Sequence, residues 1–167
     1  YRSPAGLTMI RHYCLNENMM YDKDDQSILG YFVADMERTG PYSMLSQAVA
    51  VAKGDPRFLG YLTGGSYGVG APEYVRNFNA NFLALPAVPS KVLDGVAGDE
   101  NVTVRQISTD AHGTWYAVVN TGMQPVTTTV TLPGGPVKAV VSGEALSDDG
   151  TVEVTLYPFE LQAWHVE

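Results

Sequence analysis

The tripeptide Asn16-Glu17-Asn18 follows a short apolar run, Leu7-Thr8-Met9-Ile10-Arg11-His12-Tyr13. Asparagines on both sides mark a loop, so Glu17 places a carboxyl group just past the end of an extended segment, where it can give or take a proton. An ordinary solvated acid between turn-forming amides accounts for the same residues. His12 can hydrogen-bond a hydroxyl or tune a carboxylate, although a lone histidine beside Tyr13 is commonly part of a packed polar core. The loop Gly64-Gly65-Ser66-Tyr67-Gly68-Val69-Gly70 has the glycine content of a phosphate cradle. It lacks a Gly-Lys-Ser/Thr ending and a downstream acid at dinucleotide spacing, so a nucleotide is rejected. Tyr67 offers a flat face that suits the C–H side of a sugar ring, and a plain connection is the competing reading.

Other reactive types form no convincing set. Ser66 has no Gly-x-Ser-x-Gly context, and Cys14 with His12 has no third group to orient the pair. Asp22, Asp24 and Asp25 lack the alternating oxygen ligands and central glycine of a calcium loop, and helix capping explains them better. Asp35, Glu37 and Arg38 fall on the outward face and last turn of a helix, where ion pairs are common and weak. Trp115, Tyr116 and Trp164 invite a carbohydrate-binding reading, but the two tryptophans lie in strand-like segments and are expected to pack in a core or between domains. No cofactor motif is found, and the single cysteine allows neither an internal disulfide nor a multi-cysteine zinc site.

The elements that must position these residues change character along the chain. Residues 7–13 and 58–62 read as short buried strands. Ile28, Leu29, Phe32, Val33 and Met36 keep helical spacing behind Asp24 and Asp25. Pro41 opens a second helix that stops at Lys53-Gly54. Glu73 begins a third, whose stripe of Tyr74, Val75, Phe78, Phe82 and Leu85 must pack on something and which stops near Pro86. After Pro86-Ala87-Val88-Pro89 the helical spacing gives way to alternation. Val102–Ile107, Trp115–Val119, Val126–Leu132, Val137–Val141, Val152–Tyr157 and Leu161–Val166 are expected to be six or so antiparallel strands, with one wet face where apolar residues occupy every second position. The expected class is α+β: a helix-rich α/β segment over 1–86 and an antiparallel β-sandwich over 87–167.

A chain of 167 residues, 45% hydrophobic, can bury a real core. Residues 1–90 carry 7 basic and 8 acidic groups, whereas 91–167 carry 3 and 10. An acidic C-terminal half repels phosphate backbones and anionic lipid, so nucleic acid and membrane surfaces are poor partners, and no run is long enough for a membrane span. Neutral ligands such as sugars suit the charge. The chain opens on Tyr1 without a basic and apolar leader, which reads as a processed product or a piece of something longer.

The pair of buried strands with their helices, the run Asp55-Pro-Arg-Phe-Leu-Gly-Tyr-Leu62, the helix from Glu73 to Leu85, Trp115-Tyr-Ala-Val-Val-Asn120 and Tyr157-Pro-Phe-Glu-Leu161 carry a resemblance. In this order they resemble the C-terminal part of bacterial multidomain glycoside hydrolases, in which a (β/α)₈ barrel is followed by a small β-sandwich. The resemblance implies that 7–13 and 58–62 are the last two barrel strands and that the sandwich packs against the barrel wall. It places Asn16, Glu17 and Asn18 where barrel enzymes keep reacting groups, on a loop after a strand. Glu17 would be one of the two carboxyl groups that a glycosidase needs, with His12, Asn16, Asn18 and Tyr67 lining the sugar site. A barrel takes about 250 residues and eight strands, so the remainder would come from a larger polypeptide or a neighbouring chain. The implied setting is periplasmic or extracellular. The competing reading is a non-catalytic carbohydrate-binding or cell-surface interaction module.

Overall fold

The computed structural model describes residues 40–56 and 72–166. The expected strands at 7–13 and 58–62, and the helix behind Asp24 and Asp25, lie outside them. The described residues make an α+β arrangement of few helices and antiparallel strands.

The first described element begins later than its sequence suggested. Pro41 lies in a 3₁₀ turn, Gly40–Met44, and α1 runs only from Leu45 to Gly54. Gly40 holds φ at +55°, and the Ser43 hydroxyl donates to the Gly40 carbonyl at 2.9 Å, which closes this tight turn. Beyond Gly54, Asp55 adopts the left-handed conformation that more often falls to glycine. Helix α2, Glu73–Ala84, follows expectation. The Pro72 carbonyl accepts from the Val75 and Arg76 amides, and Glu73 lies at the positive end of the helix dipole. Leu85 is already extended, as the residue before Pro86 must be.

Eight strands follow: β1 Lys91–Leu93, β2 Val102–Ser108, β3 Thr114–Asn120, β4 Val126–Thr131, β5 Val137–Ala139, β6 Ala145–Ser147, β7 Thr151–Leu156 and β8 Leu161–Val166. Two were not expected. Both β1 and β6 are three-residue edge strands, too short to show a period. Strand β5 ends at Ala139 instead of reaching Val141, because Gly143, at φ +73°, turns the chain and the Ala139 amide bonds across to Glu144. Six strands form one sheet in the order β1-β2-β3-β8-β5-β6, and β4 and β7 form a separate ribbon.

The inner face of the large sheet closes on that ribbon. Val104, Tyr116, Val118, Trp164 and Val166 meet Val130, Leu132, Val152 and Leu156 in one core. Exposed Thr127, Thr129, Glu153 and Thr155 alternate with these residues on the ribbon, as the sequence period requires. The outer face of β3 and β8 is also buried. Ala117, Val119, Leu161 and Phe159 pack with Met44, Ala48 and Val51 around α1 and with Val75 and Phe78 of α2. The α2 stripe of Tyr74, Val75, Phe78, Phe82 and Leu85 thereby finds its partner, chiefly on β8. Phe159 adopts φ +58°, a conformation costing about 1–2 kcal/mol for a residue with a β-carbon, while its ring is wholly buried between the two layers.

Candidate functional site

His12, Asn16, Glu17, Asn18 and Tyr67 lie outside the described residues, as do Cys14, Ser66, the aspartates at 22, 24 and 25, and the charged cluster at 35–38. The aromatic trio of the sheet is described. Trp164 is fully buried, and its indole N–H donates to Gln162 Oε1 at 3.0 Å. Tyr116 is equally buried and donates to the Pro133 carbonyl at 3.2 Å. Burial pushes its phenol above the usual tyrosine range, and a hydrogen bond with Gln106 partly opposes this. Trp115, on the opposite face, lies 4.5 Å from the ring of His165. These three side chains serve packing and present no row of open faces.

The described residues do build one polar constellation, at the joint between the helices and the sheet. Arg105 projects from β2 onto the outer face and is only 4% exposed. Its Nε donates to Ser90 Oγ at 2.7 Å, Nη1 to the Ala52 carbonyl at 3.0 Å and Nη2 to the Ser90 carbonyl at 3.2 Å. Nη2 also lies 3.7 Å from Asp55 Oδ1. That same carboxylate oxygen accepts from the Ser90 amide at 3.1 Å and from the Ser90 hydroxyl.

Each part of this site has a local cause. The Ala52 carbonyl belongs to the last turn of α1, where carbonyls lack helical partners and the dipole favours a cation. The left-handed turn at Asp55 brings its carboxylate back toward that end. Ser90 is the last residue of the linker before β1, so one guanidinium ties α1, the linker and the sheet together. With the fork engaged on protein acceptors, the constellation acts as a joint. An apolar hollow lined by Val51, Phe82, Leu85, Ile107 and Ala117 adjoins it.

A second anchor lies on β8. Asn81 of α2 uses its Oδ1 to accept the Ala163 amide at 2.8 Å, and its Nδ2 donates to the Asn77 carbonyl at 2.9 Å. Strand β5 pairs with β8 only from Trp164 to Val166; just past its end the Val140 amide still donates to the Ala163 carbonyl at 2.8 Å, and Asn81 supplies the acceptor for the Ala163 amide. Ala163 and Ala117 are paired across β8 and β3, and their small side chains let the helix approach. Neither anchor was anticipated. The available signals were Arg105 on the face shared with Ile107 of β2, and an aspartate directly after a helix-ending glycine.

No family model matches the chain, and no curated protein does. Solved structures do match. An α-galactosidase I from Mortierella vinacea is 10% identical, with a TM-score of 0.45 over 72% of this chain and 34% of that one. An Anoxybacillus α-amylase is 12% identical, with a TM-score of 0.45 over 76% and 33%. A protein described as an α-galactosidase/melibiase from Bacteroides fragilis is 15% identical, with a TM-score of 0.39 over 48% and 18%. These structural neighbours are glycoside hydrolases. The chain spans no more than 34% of the length of any of the three.

Among the described residues, no group of three or more histidine, cysteine, aspartate or glutamate side chains is placed to hold a metal ion. No described helix is long and apolar enough to cross a membrane.

Proposed function

We propose that this chain is part of a carbohydrate-active enzyme that hydrolyses glycosidic bonds, with residues 1–86 giving the end of a (β/α)₈ barrel and 87–167 an accessory β-sandwich. The observation that carries the reading is the committed outer face of the large sheet. Two helices lie on it with their apolar stripes, Arg105 and Asn81 lock them there, and the opposite face closes a core with the β4–β7 ribbon. A barrel wall packed against an accessory sheet calls for such an arrangement.

In this reading Glu17 supplies one of the two reacting carboxyl groups, about 5 Å from its partner if stereochemistry is retained and farther if it is inverted. His12, Asn16, Asn18 and Tyr67 bind the sugar, and the second carboxylate comes from the rest of a larger polypeptide or from a neighbouring chain. A bacterial source and a periplasmic or extracellular setting accord with a polysaccharide substrate. The chemistry requires no cofactor.

The test is hydrolysis of aryl α- and β-glycosides by the whole encoded protein, with and without Glu17→Gln. Loss of a general acid or base lowers kcat by about 10²–10⁴-fold. Turnover unchanged by Glu17→Gln would remove that residue from the site. The alternative is a non-catalytic carbohydrate-binding or cell-surface interaction module, which oligosaccharide binding without any hydrolysis by the whole encoded protein would favour.

A further inference from the structure

The large apolar side chains left exposed among the described residues are mostly scattered aliphatics, but the two aromatic ones, Tyr42 and Tyr157, converge on one end of the sheet. Tyr42 is 49% exposed, Tyr157 64% and Met123 61%. The Tyr42 hydroxyl donates to the Met123 carbonyl at 3.2 Å, and its ring stands edge-on to Phe159, with centroids 5.8 Å apart and planes at 68°. Two contacts therefore fix this ring in a residue that stays about half exposed.

The neighbouring loops are equally well held. The wholly buried Asn120 side chain donates from one Nδ2 to the carbonyls of Gln124 and Tyr157, each at 3.0 Å, and accepts the Gly122 amide at 2.7 Å. That single amide group ties the β3–β4 loop, which carries Met123 and Gln124, to the turn that carries Tyr157. Glu160 Oε2 further pins the Tyr157 amide at 2.8 Å.

From this geometry we infer that Tyr42, Met123 and Tyr157 form a binding platform for a neutral saccharide. The fixed Tyr42 ring binds the C–H face of a pyranose at little entropic cost, and the exposed Tyr157 and Met123 side chains extend the surface from anchored backbone. The exposed side chain of Gln124 supplies donors and an acceptor for hydroxyl groups. The Glu160 carboxylate at the rim, in the acidic half of the chain, disfavours uronates and sulfated sugars. The ligand class rests on the carbohydrate reading given above; the platform does not depend on Glu17.

The test is isothermal titration of the intact protein with maltoheptaose, cellohexaose and mannohexaose, beside Tyr157→Ala and the double variant Tyr42→Ala/Tyr157→Ala. At least one oligosaccharide binds, and its Kd rises about tenfold in the double variant. Tyr157→Ala, which alters an exposed side chain, gives a smaller rise without a change in circular dichroism. Should the double variant misfold, this single variant carries the test. Absence of binding by all three sugars, or an unchanged Kd in Tyr157→Ala, overturns the platform. So does sedimentation showing that the tyrosines hold two copies of the chain together while sugar binding is untouched. Binding that survives in a protein without hydrolytic activity supports the platform and removes the enzyme proposal.

Discussion

The two faces of the six-stranded sheet are buried by different means. The inner face meets the β4–β7 ribbon through Val, Leu, Tyr and Trp side chains. The outer face meets α1 and α2 through an apolar cluster with two polar anchors set in it, Arg105 on one side and Asn81 on the other. Apolar burial is non-directional and tolerates sliding, whereas a guanidinium fork and an amide acceptor are satisfied in one registry only. The inner face thus accounts for how firmly the sheet holds, and the outer face for where the helices sit. Trp164→Ala should cost about 3–5 kcal/mol, measured by denaturant unfolding, because it empties the centre of the inner core. A loss below about 1 kcal/mol would mean that this core is not the main store of stability.

The anchor at β8 should have a smaller effect. Asn81→Ala leaves the Ala163 amide without its acceptor and should cost about 1–3 kcal/mol. Asn81→Asp keeps an oxygen in place and should lose less. Equal losses in the two variants would show that the acceptor is not what matters.

Smaller still is the alkaline response of the inner face. The fold raises the Tyr116 pKa above its ordinary value of 10.0, mainly by burial. As pH climbs past that value the unfolded chain ionises first, so the native state loses stability there. Tyr116→Phe should flatten this part of the stability profile, read by chemical denaturation between pH 8 and about pH 11. At the acid end, Asp149 is held below the usual carboxylate range by the Thr151 amide and the Ser147 hydroxyl. Its contribution is present above the unfolded pKa and disappears as pH falls through the lowered one. Asp149→Ala should remove that acid dependence from the β6–β7 turn.

What was legible in the sequence follows the same division. Alternation gave β4 and β7, and helical spacing together with Pro86 gave α2 and its end, because a period imposed by a flat or cylindrical surface is written in consecutive residues. The strands β1 and β6 left no such trace, since three residues make no period. The 3₁₀ turn at Pro41 was hidden because proline suits the first turn of either helix type. Arg105, Ser90 and Asp55 were hidden for another reason: they meet only after the chain has folded, across separations of 15 and 35 residues. The candidate sugar residues His12, Asn16, Glu17, Asn18 and Tyr67 lie outside the described residues, and their roles stand as proposals.

The account depends most on the helical layer and the sheet being joined by a specific polar contact. A double-mutant cycle of Arg105→Met and Asp55→Asn, followed by denaturant unfolding, measures this directly. Removing either partner of a buried pair costs about 3–5 kcal/mol, so the two losses should overlap, with a coupling above about 0.5 and up to about 3 kcal/mol. Losses that simply add, within about 0.5 kcal/mol, would contradict the Arg105–Asp55 contact as a working part of this joint.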